Sequence, residues 1–333
     1  MKRFHTVSIA LGIALLFLLI WNIGIGELWR ELARLGWGLV PLILMEGVAD
    51  IFHTFGWSHC LTGAQRGIPF SRLFRIRLAG YSINYLTPTA TLGGELIKGT
   101  LLTTDNSGAT AATGVLIGKL ALTLAQLLFV ALGSIFTLWG VPLPAGVWPA
   151  MLIGNALLTF GVVGFLLVQK YGKLGALVRW LVAHNLGGKT LQKAAKHITE
   201  VDDELRLFYR QRQRDLPHAM LWHILGYACG IMQSWFFLYL LTDDASFRVA
   251  AGIWFLGSWF DFLTFAIPLG IGIQEATRIL ALKALGFDSV MGLAYGLTLR
   301  LEQIFWVGCG LISYSTLLAE KSKAKLAPAK ADA

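Results

Sequence analysis

Residues 87–100 read TPTATLGGELIKGT, a proline, two adjacent glycines, a glutamate and a lysine set between long apolar runs. Proline removes a backbone donor and glycine weakens a helix, so the stretch predicts a break in a helical path. Lipid offers nothing to the N–H and C=O groups that a break releases. Non-helical backbone at membrane depth therefore has to face protein or a water-filled cavity. A break here implies a bundle with a polar interior.

The whole chain fits that setting. Of its 333 residues 56% are hydrophobic and only 14% charged, against roughly 25% charged in a soluble domain. The composition defines an all-α polytopic membrane protein. The net charge of +9 comes from cations in short segments between apolar runs, which read as orientation signals rather than as a nucleic-acid surface. Cys60, Cys229 and Cys309 are far apart, without metal-ligand spacing. No metal and no cofactor are expected.

A full span needs about 20 apolar residues, and six stretches qualify: 7–23, 38–60, 110–139, 148–168, 217–240 and 290–318. Two further regions, 78–106 and 250–287, are broken near their middles. Lys2 and Arg3, then Arg66, Arg72, Arg75 and Arg77, the cation-rich 169–216 segment and finally Lys321, Lys323, Lys325 and Lys330 mark the cytoplasmic side. The loops 24–37, 140–147 and 241–248, with few or balanced charges, belong outside. With these sides fixed, each broken region must return to the face it entered from, giving two re-entrant helical pairs. Both termini are expected in the cytoplasm of a bacterial cell, with the chain in the inner membrane.

The two broken regions share a spacing. Pro88 precedes Glu95 by seven residues and Pro268 precedes Glu275 by seven; Lys98 and Arg278 each follow the glutamate by three. A lone cation then enters the next span, Lys119 in the first case and Arg300 in the second. This predicts two inverted-topology repeats, 1–140 and 148–318, a recurring construction of secondary transporters. The second contains an amphipathic cytoplasmic linker at 169–216, whose apolar stripe runs Leu191, Ala195, Ile198, Val201, Leu205 and Phe208. Residues 319–333 read as a disordered basic tail.

The breaks are shaped by Pro88, Gly93 and Gly94 on one side and Pro268, Gly270 and Gly272 on the other. A short helix starting after each leaves free amides and a positive dipole end that favour an anion. Glu95 and Glu275 fall in those first turns, where they serve as caps paired with Lys98 and Arg278, as substrate or coupling groups, or as both. Lys119 and Arg300 either hold an acidic headgroup or neutralise nearby carboxylates, Lys119 with Glu95 and Arg300 with Glu275 or Glu302. Asn84 and Asp261 lie in the incoming arms of the broken regions. Together with Glu46, Asp50 and His53 they read as polar cavity lining.

Taken together, NYLTPTATLGGELIKGTLL with Lys119, PLGIGIQEATRILALKALG and LRLEQIFW resemble the membrane region of lysylphosphatidylglycerol synthases and the flippase-like proteins related to it. Asn84, Pro88, Gly94, Glu95 and Lys98 match its first motif, and Pro268, Gly270, Gly272, Glu275 and Arg300 its second. The resemblance covers residues 5–318. In the synthases that region carries a modified lipid between leaflets and precedes a soluble aminoacyl-transfer domain, which is not expected here. It implies a lipid transporter, some relatives being associated with hopanoid, glycosyl or polyprenyl lipid pathways. The glutamine of GIQEA and the spelling TATLGGE, where arginine is frequent, suggest a less acidic substrate.

The expected function is movement of a polar or phosphate-containing lipid between leaflets, with membrane lipids and lipid-biosynthesis enzymes as partners. No GxxxxGK[ST] motif is present, so active transport would draw on an ion, a proton or a substrate gradient. Two other classes stay open: an intramembrane enzyme using Glu95 or Glu275 as a base, and a scaffold for a membrane biosynthetic complex.

Overall fold

The computed structural model describes residues 17–18, 20–21, 24–87, 92–103, 108–140, 147–170, 174–184, 203, 206–208, 210–212, 214–242, 245–264 and 271–326. Eleven helices and no strand are found among them. In chain order they are α1 Ile25–Leu35, α2 Leu39–His59, α3 Phe70–Leu86, α4 Leu92–Leu102, α5 Gly108–Gly140 and α6 Val147–Lys170. These are followed by α7 Leu174–Ala183, α8 Asp215–Leu241, α9 Phe247–Thr264, α10 Ile273–Ala284 and α11 Ser289–Leu326.

Three stretches among the described residues are long and apolar enough to cross a membrane: Ile25–His59, Thr110–Ile135 and Asp215–Leu241. Helices α6 and α11 occupy the positions of the spans expected at 148–168 and 290–318. The span expected at 7–23 lies largely outside the described residues, as does most of the linker stripe from Leu191 to Leu205. At its far end Phe208 is fully buried against Leu61, Leu102 and Ile117.

Residues 24–37, expected to form a loop, instead make α1 and a 3-10 turn that leads straight into α2. Leu28 and Leu35, seven residues apart, share one helical face and are buried. Glu31 pairs with Arg34 at 3.0 Å. The Arg34 guanidinium also donates to the Leu241 carbonyl at 2.7 Å, satisfying an acceptor that the end of α8 leaves free. Arg34→Ala is expected to lower stability by about 1 kcal/mol, read as a shift of the thermal midpoint in detergent.

Helices α2 and α8 form the central pair. Leu42 meets Gln233, His53 meets His223 and His59 meets His218, so α2 runs forward where α8 runs back. Around this pair α3 lies on α11, α5 on α9, α4 on α3 and α10 on α11. One apolar core gathers Trp57, Ile76, Leu102 and Ile117, and a second gathers Leu42, Phe237, Ile253 and Leu293. Val40, Leu44, Val48, Ile51 and Phe55, spaced by three and four along α2, stay exposed while Asp50 and His53 point inward and are buried. Apolar outside and polar inside is the distribution that a lipid environment selects.

Candidate functional site: a polar cavity between two charged helix breaks

At the first break α3 ends at Leu86 and α4 starts at Leu92; Pro88 falls outside the described residues. The backbone N–H of Gly94 donates to Asn84 Oδ1 at 2.6 Å, so Asn84 caps the new helix from the preceding one. The two helices touch backbone to backbone here. A Cβ on Gly94 would overlap the Gly80 carbonyl, and a Cβ on Gly80 would lie 2.6 Å from the Lys98 side chain. Gly93, in the same turn, is partly buried.

The charges around this break neutralise one another. Lys98 Nζ reaches both oxygens of Glu95 at 3.1 Å and Lys119 comes within 3.9 Å of the same carboxylate. Arg77 binds buried Asp50 through Nε and Nη2 at 3.0 and 2.7 Å. Glu95, Lys98, Lys119 and Arg77, with Trp57 and His223, enclose a recess of only about 10 Å³, roughly what one water requires.

At the second break Pro268 and Gly270 lie outside the described residues. Gly272 takes φ +75° immediately before α10, a left-handed conformation that glycine adopts without a Cβ penalty. Glu275, in the first turn, is 0% exposed. It accepts from Arg300 Nε at 2.8 Å, and Arg300 Nη1 reaches across to the Tyr85 hydroxyl at 2.7 Å. Of the two partners open to Arg300 the structure places Glu275, while Glu302 is held by Gln233. Gln233 gives its other amide hydrogen to the Leu42 carbonyl at 2.9 Å.

Arg278 departs from the pairing that its spacing suggests. Instead of closing on Glu275 one turn back, it forms a two-pronged contact with Asp261 of α9 at 2.6 and 3.2 Å. Gly257 makes room for this route, since a Cβ there would stand 2.8 Å from the guanidinium. The two breaks thus share a plan, a cation of the short helix after the break laid over a glycine of the helix before it, and differ in the acid that receives it.

Between the breaks lies a cavity of about 430 Å³. Arg278 and Asp261 line it together with Glu46, His53, Gln233 and Glu302. Glu95, Lys98 and Lys119 belong to the smaller recess instead, and Glu275 and Arg300 stand outside the lining of both. Spacing alone does not single out Gln233 or His223, and it offers Glu302 only as a partner of Arg300. Their signal was simply polarity inside an apolar span. Among the described residues no three His, Cys, Asp or Glu side chains converge to hold a metal ion.

Helices apolar outside and charged within define an all-α polytopic membrane protein. The chain matches the family model of the lysylphosphatidylglycerol synthase TM region over residues 6–309 and belongs to that family. It is 22% identical over 322 residues to a UPF0104 membrane protein of Pyrococcus horikoshii, covering 92% of this chain and 94% of that one. No solved structure matches the chain.

Proposed function

We propose that the protein moves a lipid with a polar or phosphate-containing headgroup between the leaflets of the bacterial inner membrane, with both termini in the cytoplasm. The cavity carries this reading: a polar chamber with Arg278 on its wall, surrounded by helices whose outer faces are apolar. A headgroup must shed water to cross hydrocarbon, and fixed charges and dipoles can replace that hydration while acyl chains stay in lipid. The Arg278 fork suits a phosphate, which would compete with Asp261 for it. Membership of a family whose named member makes a modified phospholipid supports the same substrate class.

The two halves are read as inverted repeats. Exchanging α2 with α8, α3 with α9, α4 with α10 and α5 with α11 carries the packing of α3 on α11 onto that of α9 on α5, which supports the repeat. A site between two such halves is the arrangement expected of an alternating-access carrier.

The test uses purified full-length protein in vesicles of phosphatidylethanolamine and phosphatidylglycerol carrying a fluorescent analogue of each, with exchange read as loss of protection from a membrane-impermeant quencher. Wild-type protein is expected to exchange at least one analogue, and Arg278→Ala to slow it by about tenfold or more. Wild-type vesicles that match protein-free ones across anionic and zwitterionic lipids would refute the reading.

A further inference from the structure

The residues farthest from any assigned role are two buried histidines on the central helix pair. His53 and His223 are 6% and 1% exposed, and their Nδ1 atoms stand 3.0 Å apart. A hydrogen bond between two ring nitrogens holds one proton, so one Nδ1 donates and the other accepts. The accepting ring then carries its own hydrogen on Nε2.

We propose that this pair is a proton-transfer element joining the central cavity to the charged recess beside α4. His53 lines the cavity, where Glu46 and Glu302 supply carboxyl groups and Tyr81 a phenol. His223 lines the recess, where Glu95 is the acid and Arg77, Lys98 and Lys119 the cations. Asp50, held by Arg77, and Tyr227, whose ring centroid is 4.8 Å from that of His53, also face the pair, and Arg278, Asp261 and Tyr295 border the central cavity. His223 Nε2 is buried and has no hydrogen-bond partner among the described residues.

The seats of the rings are reciprocal. HTFG at 53–56 and HILG at 223–226 put a glycine three residues after each histidine. A Cβ on Gly226 would lie 2.7 Å from the His53 ring, and one on Gly56 2.7 Å from the His223 ring. Each helix thus leaves out a side chain where the other's imidazole sits. Mutual hydrogen bonding alone would use one nitrogen of each ring. Here the second nitrogens belong to rings that border two separate charged spaces.

The transfer balances. A cavity carboxylic acid gives a proton to Nε2 of His53 and His53 passes its Nδ1 proton to Nδ1 of His223. The Nε2 proton of His223 then goes to the Glu95 carboxylate. Both rings are neutral before and after, each in its other tautomer; water resets them, taking the Nε2 proton of His53 and returning one to its Nδ1, and the reverse at His223. A proton on Glu95 removes the charge that holds Lys98 and Lys119, which would link proton entry to the freeing of two cations. The purpose assigned to the relay rests on the lipid-translocation reading, although the measurement of proton flux does not.

The same vesicles, loaded with a pH-sensitive dye and clamped with potassium and valinomycin, receive an external acid step of about one pH unit. Wild-type protein should acidify the lumen faster than protein-free vesicles, and His53→Gln and His223→Gln should each cut the added rate by about tenfold or more. Flux unchanged in both variants overturns the relay. Wild-type flux equal to that of empty vesicles also overturns it, and lipid exchange in that preparation would leave translocation standing. Should either variant fail to fold, nitrogen NMR of histidine-labelled wild-type protein decides: coupling across an N–H···N bond between two histidines is expected, and its absence removes the pair.

Discussion

Arg300→Met is expected to be among the most damaging single substitutions in this chain. It leaves the Glu275 carboxylate, 0% exposed, without the guanidinium that donates to it at 2.8 Å. The other oxygen, Oε2, already has no hydrogen-bond partner among the described residues. Removing one member of a buried ion pair costs about 3–5 kcal/mol, whereas replacing both with apolar groups of similar size is close to neutral. Arg300→Met should therefore lower the thermal midpoint in detergent strongly, and adding Glu275→Leu should restore much of it. A single variant as stable as wild type would refute the pairing. A stable double variant also separates roles: if it exchanges lipid at the wild-type rate, the pair is architectural, and if exchange stays lost, the charges take part in transport.

Gly94→Ala should be comparably severe for a different reason. The methyl group would overlap the Gly80 carbonyl and crowd the Asn84 amide. Neither obstacle is a flexible chain end, because one is backbone and the other is the cap on the Gly94 N–H. The helices α3 and α4 would have to separate, breaking that cap and shifting Lys98 away from Glu95. A loss of roughly 3 kcal/mol or more is expected, visible as poor recovery of monodisperse protein. Gly99→Ala, where nothing stands within 4 Å of the added atom, is the matched control and should behave as wild type. Equal recovery of both variants would show that the close approach of α3 and α4 does not matter.

How much was readable from the sequence depended on the distance over which each contact is made. Lys98 with Glu95 follows from helical spacing alone. Arg300 with Glu275 could be narrowed to two acids, and the choice was made by Gln233, which holds Glu302 from another helix. Arg278 escaped because its partner sits on α9, reached over a glycine that spacing does not mark. The pair His53 and His223 is separated by 170 residues, and only the crossing of α2 and α8 brings it together. The segment 24–37 reads as a loop because its two glutamates and two arginines balance, yet these are the polar face of an amphipathic helix, Leu28 and Leu35 supplying its buried face.

The packing of α3 on α11 carries a consequence for how the chain is assembled. Ser82 Oγ donates to the Val307 carbonyl at 2.9 Å, and Gly310 lets the two backbones meet beside it. The first half thus completes a wall of the second, and α5 answers by lying on α9. Glu46 and His53 come from one half and Arg278 and Glu302 from the other, yet all four border one chamber. A gene divided between α5 and α6 would therefore yield two fragments, neither of them self-sufficient. Each would lack the surface on which the other's helices dock, and the chamber would form only where both were made together.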